Sequence, residues 1–167
     1  MAKYVIQTEQ GAAPQGAYSQ GWRAGDFIFV TGTGPVDAKT GKLSGESIEE
    51  QTELVISNME AVLAADHATL ADVVKVTVHL SDPALFARYN AVYARRFSVP
   101  YPVRTTVGSD LRSLPGMLIE ADCIAYAPQR SPRRESPALR KRNAVASARN
   151  SYPLGPAVGM LARDLRK

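Results

Sequence analysis

Few side chains in this 167-residue chain are of types that do chemistry unaided. Its two histidines, His67 and His79, have no partner at metal-ligand spacing, and His79 falls inside a strand-like alternation that points to a surface or inter-strand role. Cys123 is the single cysteine, which excludes an intramolecular disulfide framework and a multi-cysteine metal cluster. It alternates with Ile119, Ala121 and Ala125 and reads as a small core residue. No G-x-S-x-G elbow, H-E-x-x-H pair or P-loop is present, which argues against serine hydrolase, zinc protease and NTPase chemistry. Gly32-Thr33-Gly34 lacks the third glycine of a dinucleotide fingerprint and runs into Pro35 rather than a helix. Arg104 and Glu120 remain. Arg104 and Thr106 share one face of a strand whose other face carries Val103, Thr105 and Val107, and Glu120 shares a face with Asp122 and Ile124. A hairpin of these two strands centred near Arg112 sets Arg104 opposite Glu120. Spacing alone leaves two readings open, a functional pair or a cross-strand ion pair worth about 0.2–1 kcal/mol.

The elements that must position this pair can be read from periodicity. Ser19–Arg23, a turn at Ala24-Gly25-Asp26 and Phe27–Val30 predict a β-hairpin, with regular structure broken at Gly32-Thr33-Gly34-Pro35 and a turn over Asp37–Gly41. Ser47 with Glu50 three residues on is a capping-box spacing. Ile48, Thr52, Val55, Met59 and Val62 then form one face of a helix ending near Asp66. Val74, Val76, Val78 and Leu80 alternate with Lys75, Thr77 and His79, the period of a half-buried strand. Asp82-Pro83 opens a second helix with Leu85, Phe86, Tyr89, Tyr93 and Phe97 on its apolar side, and Pro100-Tyr101-Pro102 stops it. Two strands follow, near Val103–Gly108 and Met117–Tyr126. The order β-β-α-β-α-β-β predicts an α+β sheet with its helices on one face, in a single domain.

Charge divides the chain. The overall net charge of +4 averages residues 1–128, at −4, with residues 129–167, at +8. The second segment is rich in Arg, Ser and Pro and poor in aromatic and β-branched residues, so it is expected to be a disordered basic tail after the 1–128 domain. Such a tail suits a solvated appendage, or contact with nucleic acid or an anionic surface. The N-terminus has no apolar signal-peptide core, and no apolar run approaches the roughly 18 residues of a membrane span. The expectation is a cytoplasmic protein.

Several segments together resemble one family. Gly16-Ala17-Tyr18-Ser19-Gln20-Gly21 is similar to the Gly-Pro-Tyr-Ser-Gln-Ala motif of the RidA/YjgF enamine/imine deaminases. Val30-Thr31-Gly32, Pro35-Val36 and Lys39-Thr40-Gly41 resemble that family's second-strand segment and turn. Val74–Val78, Tyr89–Tyr93, Pro102–Val107, Leu114-Pro115 and Leu118–Ala121 follow in family order, so the resemblance spans residues 1 to about 128 and stops before the basic tail. Ala17 stands in place of the usual proline, Thr106 where many members have cysteine, and the loop between Arg104 and Glu120 is about one residue longer.

The resemblance implies a chorismate-mutase-like α+β unit, a homotrimer with pockets between subunits, and hydrolysis of 2-aminoacrylate-type enamines and imines to 2-keto acids and ammonia without a cofactor. It also implies roles: Arg104 grips the substrate carboxylate, Glu120 orients the hydrolytic water, and Tyr18, Thr31, Asn90 and Thr106 line the pocket. An arginine fork fits a planar carboxylate with two parallel charge-assisted bonds, and a carboxylate can take the water's proton. Imines hydrolyse readily, so positioning and charge complementarity can suffice without nucleophile or metal. Two other readings stay open: a non-catalytic metabolite-binding or chaperone-like trimer that keeps the arginine to hold a carboxylate, and an RNA-binding or ribonuclease protein acting through the basic tail.

Overall fold

Arg104 and Glu120 sit on strands that a third strand separates. The computed structural model describes residues 3–128, and the expected disordered tail and the boundary before it lie outside them. The elements are β1 (Lys3–Ile6), β2 (Gly21–Ala24), β3 (Phe27–Thr33), α1 (Ile48–Ala64), β4 (Val73–Leu80), α2 (Phe86–Arg96), β5 (Val103–Gly108) and β6 (Ile119–Tyr126). They build one sheet in the order β1-β2-β3-β6-β4-β5. Only β4 and β5 run parallel; the other neighbours are antiparallel. The α+β class and the single domain are as expected from the sequence, with β1 added as an N-terminal edge strand that has too little apolar alternation to announce itself.

The expected hairpin of the last two strands does not form. β4 lies between β5 and β6, so Arg104 is level with Val76 and Glu120 is level with His79. Ten residues, 109–118, join β5 to β6, enough to carry the chain across an intervening strand rather than turn tightly. Strand alternation in β4 also fails at one point. A register shift between Val73 and Lys75 turns Val73 inward and leaves Val74 exposed, whereas Val76, Val78 and Leu80 are buried as their spacing predicts.

Local rules explain most of the rest. Gly25 takes φ 61° in the β2–β3 turn, a left-handed conformation that glycine adopts without steric cost. Ser47 caps α1 through the predicted box: its hydroxyl accepts from the Glu50 N–H while the Glu50 carboxylate accepts from the Ser47 N–H at 3.1 Å. Ile48, Val55, Met59 and Val62 bury the inner face of α1. Asp82 accepts from the Ala84 N–H at 2.8 Å and starts a 3-10 turn over Pro83–Leu85, which leads into α2. Both helices cover the same sheet face, where Ile28, Val30, Val76, Val78, Ile119, Ala121, Cys123 and Ala125 form the core. Burial pushes the Cys123 thiol up to about 12, so this cysteine is a packing residue.

Two buried polar devices fix the frame. The amide of Gln51 on α1 donates to the carbonyls of Gly45 and Gly116 and accepts from the Leu118 N–H, which sets the entry of β6. Arg23 on β2 pairs through Nε with the Asp66 carboxylate and donates to the carbonyl of Ala127 at 2.8 Å; the Tyr4 hydroxyl donates to the same carboxylate. Removing one member of such a buried pair typically costs about 3–5 kcal/mol.

Among the described residues, the other sheet face carries no helix. Trp22, Phe27, Phe29, Val103, Val107 and Tyr126 stand on it with 40–68% of their surface exposed.

Candidate functional site

Alternation on β5 turns Arg104 towards the helices, because its register partner Val76 is a core residue. There the guanidinium lies 4.4 Å from the centre of the Tyr93 ring, 5.3 Å from Tyr89 and 5.6 Å from Phe86. The sequence spacing 86, 89, 93 reads as a core stripe of α2, and it also builds a three-sided aromatic cage for a cation. One guanidinium nitrogen donates to Asn90 Oδ1 at 2.8 Å. Beside it opens a cleft of about 190 Å³ lined by Asn90, Tyr93, Ala94, Tyr101, Pro102 and Arg104.

Arg104 differs from its peers in what it lacks. Among the described residues, Arg23, Arg88, Arg95, Arg96 and Arg112 each make an ion pair with a carboxylate, and Arg104 makes none. Rings and one amide replace only part of the water a half-buried guanidinium gives up. The cation is therefore left with a fork free to meet an anion from the cleft. The Tyr93 hydroxyl beneath it is buried without a hydrogen-bond partner among the described residues, and burial raises it to about 12, so it stays neutral.

Thr106, two residues on, shares the face of Arg104; its hydroxyl is 2.5 Å from that of the buried Tyr89. That bond engages Thr106 with the scaffold of the cage. Asn90, Arg104 and Thr106 thus come together on the helix side.

Glu120 is elsewhere. Its chain neighbours Ile119 and Ala121 are buried under the helices, so its carboxylate rises from the open face. A Cβ on Gly32 would lie 2.5 Å from Glu120 Oε1, so glycine at this point of β3 lets the carboxylate stand where it does, and any side chain there would move it aside. Thr31, next to it, donates its N–H to the Gln20 carbonyl at 3.0 Å, and the β3–β6 register shifts between Val30 and Thr33. Gly32, which belongs to the Gly32-Thr33-Gly34 run discounted as a dinucleotide fingerprint, is the seat of Glu120. Thr31 and Glu120 thus share one end of the open face. Tyr18 lies in the β1–β2 loop with its hydroxyl accepting from the Gln15 N–H at 3.0 Å, and it makes no hydrogen bond to the other candidates among the described residues. In a single chain, then, the cation and the carboxylate are on opposite sides of the sheet, and no group of three or more metal-ligating side chains is found among the described residues.

Comparison with known proteins gives the context for this geometry. A family model described as Endoribonuclease L-PSP matches residues 8–127. A RutC family protein of Pyrococcus abyssi is 46% identical over 127 residues, covering 75% of this chain and 98% of that protein. Reactive Intermediate Deaminase A, chloroplastic, of Arabidopsis thaliana is 40% identical over 124 residues, 74% of this chain and 65% of that one. Among solved structures, E. coli TdcF with bound serine superposes with a TM-score of 0.68 at 28% identity, over 77% of this chain and 99% of that chain. The chain belongs to the RidA/YjgF family.

Proposed function

For this member of the RidA/YjgF family we propose hydrolytic deamination of 2-imino acids, with their 2-aminoacrylate-type enamine tautomers, to 2-keto acids and ammonia. The observation that carries the reading is the guanidinium of Arg104: caged by three rings, held by Asn90, facing a cleft, and alone among the described arginines in having no carboxylate partner. It is complementary to a small planar carboxylate, and TdcF, a relative, is seen with serine, an amino acid that carries one.

The step balances without a cofactor. Water adds to the C=N carbon as its proton passes to Glu120. That proton returns to the nitrogen, giving the carbinolamine; Glu120 then takes the hydroxyl proton and delivers it to the nitrogen as the C–N bond breaks, so that ammonia leaves and the carbon keeps its oxygen as a ketone. Because Arg104 and Glu120 occupy opposite sheet faces, the reaction needs the Glu120 of one copy beside the Arg104 of another. A homotrimer with shared sites meets that need, and the apolar open face gives it a contact surface of the kind that marks protein–protein interfaces. Thr31 and Tyr18 then line the Glu120 side of the pocket, and Asn90 and Thr106 the Arg104 side.

The test is keto-acid release from freshly generated 2-aminoacrylate by the purified full chain and by Arg104→Ala. Acceleration by the wild type that the variant lacks supports the reading. No acceleration by the wild type overturns it and favours a protein that only holds carboxylates; salt-sensitive RNA retention without imine turnover favours action through the basic tail.

A further inference from the structure

The cleft beside Arg104 is larger than a carboxylate needs, and much of its wall is of another character. Its volume of about 190 Å³ exceeds the roughly 150 Å³ of an apolar cavity that takes up benzene. Arg104 is the one charged side chain among the described residues that line it. Ala94 and Pro102 offer side chains of carbon alone, and Tyr93 and Tyr101 add rings. Asn90 gives its oxygen to the guanidinium at 2.8 Å. The walls are stiff. Asn90 and Ala94 stand four residues apart on α2 and so share one side of the helix. Tyr93 is stacked on Phe97, ring centres 4.3 Å apart, and carries the guanidinium at 4.4 Å. Tyr101 lies between Pro100 and Pro102, and the second proline confines it to extended backbone just before β5.

We propose that this cleft takes the side chain of the substrate and selects 2-imino acids whose side chain is bulky and apolar, branched or aromatic, over those with a methyl or methylene group. The carboxylate meets the fork of Arg104, and the side chain runs along Ala94, Pro102 and Tyr101, where taking carbon out of water is favourable. A side chain with its own carboxylate or ammonium group loses water at this wall and finds no partner among its lining residues. Ala94 sets the depth, because its methyl group leaves room that a longer residue would fill. Its exposed position on α2 means that it serves no packing purpose in the core. The selectivity rests on the imine-hydrolase reading for its consequence in turnover, but the binding preference is measurable without turnover.

Calorimetry on the purified full chain compares two 2-keto acids that share the carboxylate and differ in the side chain, pyruvate and 4-methyl-2-oxopentanoate. The wild type binds the larger one about tenfold or more tightly, since even one methylene in an apolar pocket is worth about that much. Ala94→Leu fills the cleft from the helix surface and cuts the ratio of affinities to about twofold or less. Tyr101→Ala removes a wall and lowers the ratio as well, whereas the remote control Ala64→Leu keeps it. In turnover, imines generated from leucine and from alanine by an amino-acid oxidase follow the same order of kcat/KM, and A94L levels them. A wild type that binds neither keto acid, or both equally, overturns the side-chain assignment, and so does an A94L ratio equal to that of the wild type. Imine turnover without preference for the larger substrate overturns it too and leaves the hydrolase reading standing. Preference for the larger keto acid with no imine accelerated overturns the hydrolase reading and upholds the cleft.

Discussion

The two faces of the sheet solve opposite problems. On the helix side, Arg104 is enclosed by Phe86, Tyr89, Tyr93 and Asn90, so one chain alone completes the surroundings of the cation proposed to hold the substrate carboxylate. On the open side, Glu120 stands over a glycine beside His79, among exposed Trp22, Phe29 and Val107, and is finished only by what covers it. Binding can be preorganised within one fold, whereas the proposed chemistry waits for assembly. An isolated chain is then expected to hold a carboxylate and turn over nothing.

Variants can break that contrast one side at a time. Glu120→Gln removes the proton acceptor of the open side and lowers kcat by about 10²–10⁴-fold with little change in KM, measured as keto-acid release. Arg104→Lys keeps the charge and loses the fork, so kcat/KM falls about 10²-fold, and carboxylate affinity measured by calorimetry falls with it. Phe29→Glu places a charge in the middle of the open apolar face; sedimentation then reports smaller species, and activity drops with assembly while carboxylate binding persists. Gly32→Ala forces the Glu120 carboxylate aside, costing about tenfold in kcat with the helix side unaffected. Equal damage to carboxylate affinity by F29E and R104K would erase the distinction between the faces. The smallest expected effect is at Cys123. Its thiol, pushed up to about 12, stays protonated and unreactive towards disulfide reagents at pH 8 in the folded protein. The unfolded chain ionises this thiol near its ordinary value and the folded one does not. Its burial therefore favours folding below that value, and the benefit drains away as pH rises towards 12.

Sequence legibility followed the range of the interactions. The capping box at Ser47, the inner face of α1 and the buried alternation Val76-Val78-Leu80 are local, and each stands where its period puts it. Strand neighbours are not local: β4 inserts between β5 and β6, and nothing within 103–126 announces it. Arg104 and Glu120 could be named from their motifs, yet their placement on opposite faces follows only from that insertion. Gly32 and the ring trio were visible but misjudged in kind. A glycine pair without a third looked empty, and three aromatics at helical spacing looked like core. The bulge that exposes Val74 has no sequence mark that periodicity detects.

The Arg23–Asp66 cluster has a mechanical meaning. The carbonyl it holds, that of Ala127, is the first beyond β6, an interior strand bonded on both sides to β3 and β4. A pull on the chain at Pro128 therefore meets a clamp first and then two ladders loaded along their length, so that many hydrogen bonds share the load. A pull at Lys3 meets β1, an edge strand with one neighbour, and the tie of the Tyr4 hydroxyl to Asp66. Under tension the domain is expected to yield at its beginning and hold at its end, a polarity that single-molecule extension from the two sides would register as unequal forces.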